Sequence, residues 1–166
     1  AALLDAVDAA PMLAQVQRWS AINTGTGNLS GLAQQAAELA DAFAVLPGEV
    51  TLKEPAPVAA ISASGAEIAV EYGKHLVLRV RPEAERRFLL TGHMDTVFPA
   101  SHPFQQQTWL DEVTLNGPGT ADMKGGIAVI LAALKAFETS DAAAQTGYDV
   151  LINADEETGS LSSAPL

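Results

Sequence analysis

Three clusters of ionisable side chains in this chain of 166 residues have the types and spacing for hydrolytic chemistry: His93 with Asp95, Asp122 alone, and Glu156 with Glu157. Imidazole combined with carboxylates is the ligand set of borderline divalent ions such as zinc. Adjacent glutamates add the option that one binds a cation while the other moves protons. Taken singly, each cluster has a plainer explanation. A His-x-Asp pair can be hydrogen-bonded at the surface, Asp122 can be a helix-entry residue, and Glu156-Glu157 can be a solvated turn. Their joint placement is what argues for chemistry. All three lie on loops at element ends that a parallel sheet would bring to one rim, where open α/β sheets bind their ligands.

The elements that must position them can be read from the apolar pattern. Phe88-Leu89-Leu90 is a short apolar run that stops at Gly92 and reads as a buried strand covered on both faces, delivering His93 and Asp95 from its carboxyl end. Val150 to Ala154 repeats the arrangement and runs into Asp155-Glu156-Glu157. Between them, Ile127, Ile130, Leu131, Leu134 and Phe137 mark an amphipathic helix of about fifteen residues that begins just after Asp122. Upstream, Pro11 opens a helix over about 11–20, and Asn28 or Ser30 caps a second one carrying Leu32, Ala36, Leu39 and Phe43. Val50 to Lys53 is a short strand, and the stretch from Glu54 to Ser64, with two prolines, reads as irregular. The alternating runs Ile68/Val70/Tyr72 and Leu76/Leu78/Val80 look like a hairpin around Gly73-Lys74-His75. Trp109-Leu110 and Val113 to Leu115 look like a second pairing. Together these features predict an α/β fold, a mixed, mostly parallel sheet with helices on both faces.

Composition narrows the partners. Nine basic against twenty acidic residues give a formal charge of −11, which disfavours nucleic acid and anionic membranes and tolerates cations. The chain has no cysteine, so a metal must be held by His, Asp and Glu, and a zinc finger is excluded. No apolar run is long enough to suggest a membrane span. A cytoplasmic location is the expectation, with a periplasmic one as the alternative.

The glycine-rich stretch from Asn116 to Gly126 has rival readings that its details disfavour. A phosphate-binding loop needs a hydroxyl residue directly after its Gly-Lys, whereas here Lys124 precedes Gly125. A dinucleotide fingerprint needs a third glycine where Asp122 stands.

With these residues in order, the chain resembles a known family. His93-x-Asp95, Gly-x-x-Asp122-Met-Lys-Gly-Gly and Asp-Glu156-Glu157-x-Gly-Ser are similar to the successive motifs of the co-catalytic zinc peptidases and deacylases. Aminoacylase, acetylornithine deacetylase, succinyl-diaminopimelate desuccinylase and glutamate carboxypeptidase belong to that family, and the spelling is nearest the last branch. The resemblance implies zinc as cofactor, two ions in the complete site, with other divalent metals as alternatives. It implies that His93 ligates one ion, Asp122 bridges, Glu157 ligates the second, Glu156 is the general base and Asp95 orients His93. It also implies a cis peptide between Asp122 and Met123. The reaction implied is metal-assisted hydrolysis of an amide or peptide bond in a small peptide or N-acyl amino acid. The family pattern continues with a further acidic ligand, an inserted domain used for pairing and covering substrate, and a late histidine. Residues 1–166 thus resemble the amino-terminal portion of such a catalytic domain, with homodimerisation expected only of the complete protein. The alternative expectation is a non-catalytic fragment with an incomplete metal site.

Overall fold

The computed structural model describes residue 5 and residues 7–166. Among the described residues there are three α-helices, α1 (Ala9–Ser20), α2 (Leu29–Phe43) and α3 (Lys124–Phe137), and eight strands. The strands are β1 (Glu49–Lys53), β2 (Val58–Ile61), β3 (Glu67–Val70), β4 (His75–Val80), β5 (Arg86–His93), β6 (Thr108–Trp109), β7 (Leu115–Asn116) and β8 (Thr146–Asn153). Side-chain caps mark the starts of the first two helices. The Asp8 side chain accepts from Ala10 N–H at the start of α1, and Asn28 accepts from Gly31 N–H at the start of α2.

The main sheet has the order β1-β4-β8-β5. The expected α/β class and mixed sheet are present, but the sheet is less parallel than anticipated. β5 and β8 are parallel, joined through α3 as a crossover, whereas β1–β4 and β4–β8 are antiparallel. Register aligns Val50, Leu78, Val150 and Leu90 in one row and Leu52, Leu76, Ile152 and Gly92 in the next. That face meets Trp19 of α1, Leu32, Leu39 and Phe43 of α2, and Ile127, Leu131 and Leu134 of α3 in one core.

Helices on both faces are not found among the described residues. The opposite rows carry Thr51, Val77, Leu151 and Thr91, then Glu49, Arg79, Asp149 and Leu89. Asp149 is ion-paired there with both Arg79 and Arg87. Leu89 is 60% exposed, so β5 is an edge strand with one open face and not a strand buried on both sides. An apolar run announces a strand, but the number of its faces that are covered depends on what the rest of the chain packs there.

The hairpin expected from residues 68–80 is also corrected. β3 pairs with β2, inside the stretch read as irregular, and β4 joins the main sheet. The turn that selects this partner runs from Ser62 to Ala66, where Ser62 N–H donates to Ala66 O and Gly65 takes φ +81°. The pairing around Asp111-Glu112 is present as β6–β7.

Candidate metal centre

β5 and β8 run in parallel register with His93 opposite Asn153, so the carboxyl ends of both strands lie side by side. The two acidic motifs that follow those strands are thereby neighbours. Asp122 reaches the same place from the start of α3. Gly92 makes room for it: a Cβ at that position would lie 2.9 Å from Met123 Cε and 3.2 Å from Ile152 Cδ1. Met123 packs under the end of β5 in that space, and its neighbour Asp122 is carried to His93. The Asp122–Met123 peptide is cis.

His93 is buried, and both ring nitrogens are engaged. Nδ1 lies 3.1 Å from the Asp95 carbonyl oxygen and 3.3 Å from Asp95 Oδ1. Nε2 lies 2.9 Å from Asp122 Oδ1 and 3.8 Å from Glu156 Oε2. Burial by itself lowers the imidazole pKa, but the hydrogen bonds to Asp95 and Asp122 and the charges of Asp95 and Glu156 outweigh it and push the value up to about 9. Without metal, His93 is therefore an imidazolium that donates to acids on both sides.

His93, Asp122 and Glu157 each offer a ligand atom, and the three atoms lie within 4.8 Å of one another. Glu157 titrates above the ordinary range, chiefly through desolvation, with Asp122, Asp95 and Glu156 adding repulsion that His93 partly offsets. The donor set of one imidazole nitrogen and carboxylate oxygens converging on one point fits a divalent cation of the zinc class.

Asp95 does not join that set and is fully buried behind it. Its carboxylate accepts from Glu156 N–H and Glu157 N–H, each at 3.2 Å, and so holds the turn that presents both glutamates. Asp155 fixes the same turn from the other side, accepting from the backbone N–H groups and hydroxyls of Ser162 and Ser163. His75 Nε2 lies 3.2 Å from Ser162 Oγ, while its Nδ1 accepts from Ala154 N–H. Those bonds fix the tautomer with hydrogen on Nε2. Lys124 is buried, and its Nζ donates to Trp19 O at 3.0 Å and Ile22 O at 2.8 Å, tying the start of α3 to the end of α1. Burial lowers its pKa to about 7.

The five residues singled out from the sequence thus come together at one rim: His93, Asp122 and Glu157 converge, Glu156 stands beside them, and Asp95 lies beneath. Sequence reasoning missed Thr26, whose hydroxyl donates to Asp95 Oδ2 at 2.9 Å, and the clamp formed by Asp155, Ser162 and Ser163. The Asp-Glu-Glu spelling with serines a few positions later carried a trace of the Asp155 clamp. Thr26, far away in sequence, carried none.

Residues 89–166 match the model of the peptidase family M20/M25/M40. Carboxypeptidase G2 of Pseudomonas sp. (strain RS-16) is 32% identical over 149 residues, covering 87% of this chain and 32% of that protein. Acetylornithine deacetylase of Vibrio campbellii is 41% identical over 103 residues, covering 57% of this chain and 25% of that protein. Among solved structures, an M20 family metallo-carboxypeptidase of Sulfolobus solfataricus superposes with TM-score 0.67 at 16% identity, covering 90% of this chain and 32% of that one. That likeness is one of fold. The chain spans about a third or less of the length of these proteins.

Proposed function

We propose that this chain, whose residues 89–166 match the model of the peptidase family M20/M25/M40, is part of an enzyme of that family and supplies the metal-binding half of its hydrolytic centre. In the complete enzyme that centre cleaves an amide or peptide bond in a small peptide or N-acyl amino acid. The observation that carries this reading is the convergence of His93, Asp122 and Glu157 within 4.8 Å. His93, Asp122 and Glu157 would hold zinc or a related divalent cation, with Asp122 shared where two ions bind. A cation held there polarises a carbonyl oxygen and acidifies water.

The remaining roles belong to side chains. Glu156 is half-exposed beside the His93 imidazole, with its carboxylate free to meet solvent. It accepts the proton of an attacking water and returns it to the departing amine. Asp95 orients His93 through Nδ1, fixing the tautomer and leaving Nε2 directed at the centre. Residues 1–166 are, in this reading, the amino-terminal part of the catalytic domain.

Turnover of N-acyl amino acids and dipeptides by the complete enzyme tests the assignment. Glu156→Gln is expected to lower kcat by about 100-fold or more while zinc binding persists. Undiminished turnover in Glu156→Gln would remove Glu156 from the proton-transfer role.

A further inference from the structure

We propose that Thr26, in the loop between α1 and α2, is a positioning residue of the metal centre, its hydroxyl fixing the Asp95 carboxylate and through it the Glu156-Glu157 turn. The proposal rests on the reading given above, in which Asp95 orients His93. A carboxylate offers about four lone-pair positions. On Asp95 three are taken by hydrogen bonds: Oδ1 accepts from Glu156 N–H at 3.2 Å, and Oδ2 accepts from Glu157 N–H at 3.2 Å and from the Thr26 hydroxyl at 2.9 Å. Oδ1 also lies 3.3 Å from His93 Nδ1, whose hydrogen bond goes to the Asp95 carbonyl oxygen at 3.1 Å. The Thr26 bond is the shortest of the three.

The loop that brings Thr26 there is built for the position. Gly25 forms a parallel bridge with Thr96, and Thr96 N–H donates to Thr24 O at 2.9 Å, so the backbone just before Thr26 lies in register beside the backbone just after Asp95. Asn23 Nδ2 donates to Phe98 O and to Gln105 Oε1, both at 2.9 Å, while Asn23 Oδ1 accepts from Gly25 N–H and Asn28 Nδ2. A Cβ on Gly25 would stand 2.6 Å from Phe98 O, which shows how closely the two loops are pressed together. Thr26 also lines a cavity of about 730 Å³ together with Glu157 and Thr158. A ligand filling that cavity touches the residue that holds Asp95.

The test compares Thr26→Val, which keeps shape and loses the hydroxyl, with Thr26→Ser, which keeps the hydroxyl; Thr26→Ala repeats the first arm should valine pack badly. Amide hydrogen exchange is measured on the metal-free chain at Glu156 and Glu157, with β4 and β8 amides as internal reference, followed by zinc titration. Loss of the hydroxyl is expected to quicken exchange at Glu156 and Glu157 by roughly 3- to 10-fold, the equivalent of one ordinary hydrogen bond, and to leave the reference amides unchanged. Zinc affinity is expected to fall by up to about 10-fold. Thr26→Ser restores both. Unchanged exchange at the two glutamates without the hydroxyl overturns the proposal. So does equal quickening of every amide, or identical behaviour of the valine and serine variants. A wild-type chain that takes up no zinc counts against the cation reading, while the exchange comparison still decides the role of Thr26.

Discussion

Replacing Asp95 with asparagine puts the geometry of the centre to a quantitative test. Oδ1 accepts from Glu156 N–H and lies 3.3 Å from the His93 imidazole, and Oδ2 accepts from Glu157 N–H and the Thr26 hydroxyl. Turned one way, the NH₂ group of asparagine meets Glu156 N–H and loses that bond and the charge facing His93; turned the other way it loses the Glu157 bond, while the Thr26 hydroxyl can turn to accept. Hydrogen bonds to a charged acceptor are worth about 1.5–3 kcal/mol each, and every remaining bond also loses its charged acceptor, so the loss spans roughly 1.5–6 kcal/mol. The upper end does not apply, because the Glu156 and Glu157 amides lie near the rim, where water can replace the lost partner. We expect about 3 kcal/mol of destabilisation, seen in urea unfolding as a midpoint lowered by roughly 1–2 M with the m-value unchanged. Zinc affinity should fall by about 10–100-fold as His93 loses the carboxylate charge behind it and the glutamate turn loosens. A midpoint lowered by less than about 0.3 M, with zinc affinity retained, would refute the reasoning.

Three further outcomes are expected. In the metal-free chain the folded-state pKa of His93 is raised to about 9 from 6.5, so its contribution to stability is full below about pH 6.5 and is lost as pH rises through about 9; His93→Gln should remove that fall in denaturation curves taken across pH. Lys124 works in the opposite sense, since its folded value is lowered to about 7 from 10.5. The unfolded chain then binds the extra proton between those limits, stability gains with rising pH there, and Lys124→Met should abolish the gain in the same measurements. Gly25→Ala places a Cβ 2.6 Å from Phe98 O and 2.8 Å from Pro99 Cα, both backbone atoms, and should cost about 1–3 kcal/mol by thermal or urea unfolding.

Much of the site was legible because it is written locally. Each strand that ends in ionisable residues is spelled by an apolar run followed by His93 or by Asp155 to Glu157, and α3 by its apolar stripe after Asp122. Pairing partners were less legible. The alternation of Ile68 and Val70 marks a strand but not its neighbour, and the Ser62 to Ala66 turn decided the question. The open face of β5 was hidden for a similar reason: Leu89 is as apolar as a residue covered on both sides, yet it is 60% exposed. Least visible were Thr26 and the tie from Lys124 to α1, because their partners lie 69 and more than 100 residues away. No local pattern encodes contacts of that range.

The joint role of His93, Asp122 and Glu157 is tested most directly by zinc titration calorimetry on the chain and on Asp122→Ala. If Asp122 is shared as proposed, each ion would have two protein ligands from this chain, and the expected outcome is zinc binding that is lost on dialysis and that releases a proton from His93 below about pH 9. Asp122→Ala, altering a side chain that is 78% exposed, should fold normally and lose that binding. Zinc uptake of undiminished affinity in Asp122→Ala would contradict the account.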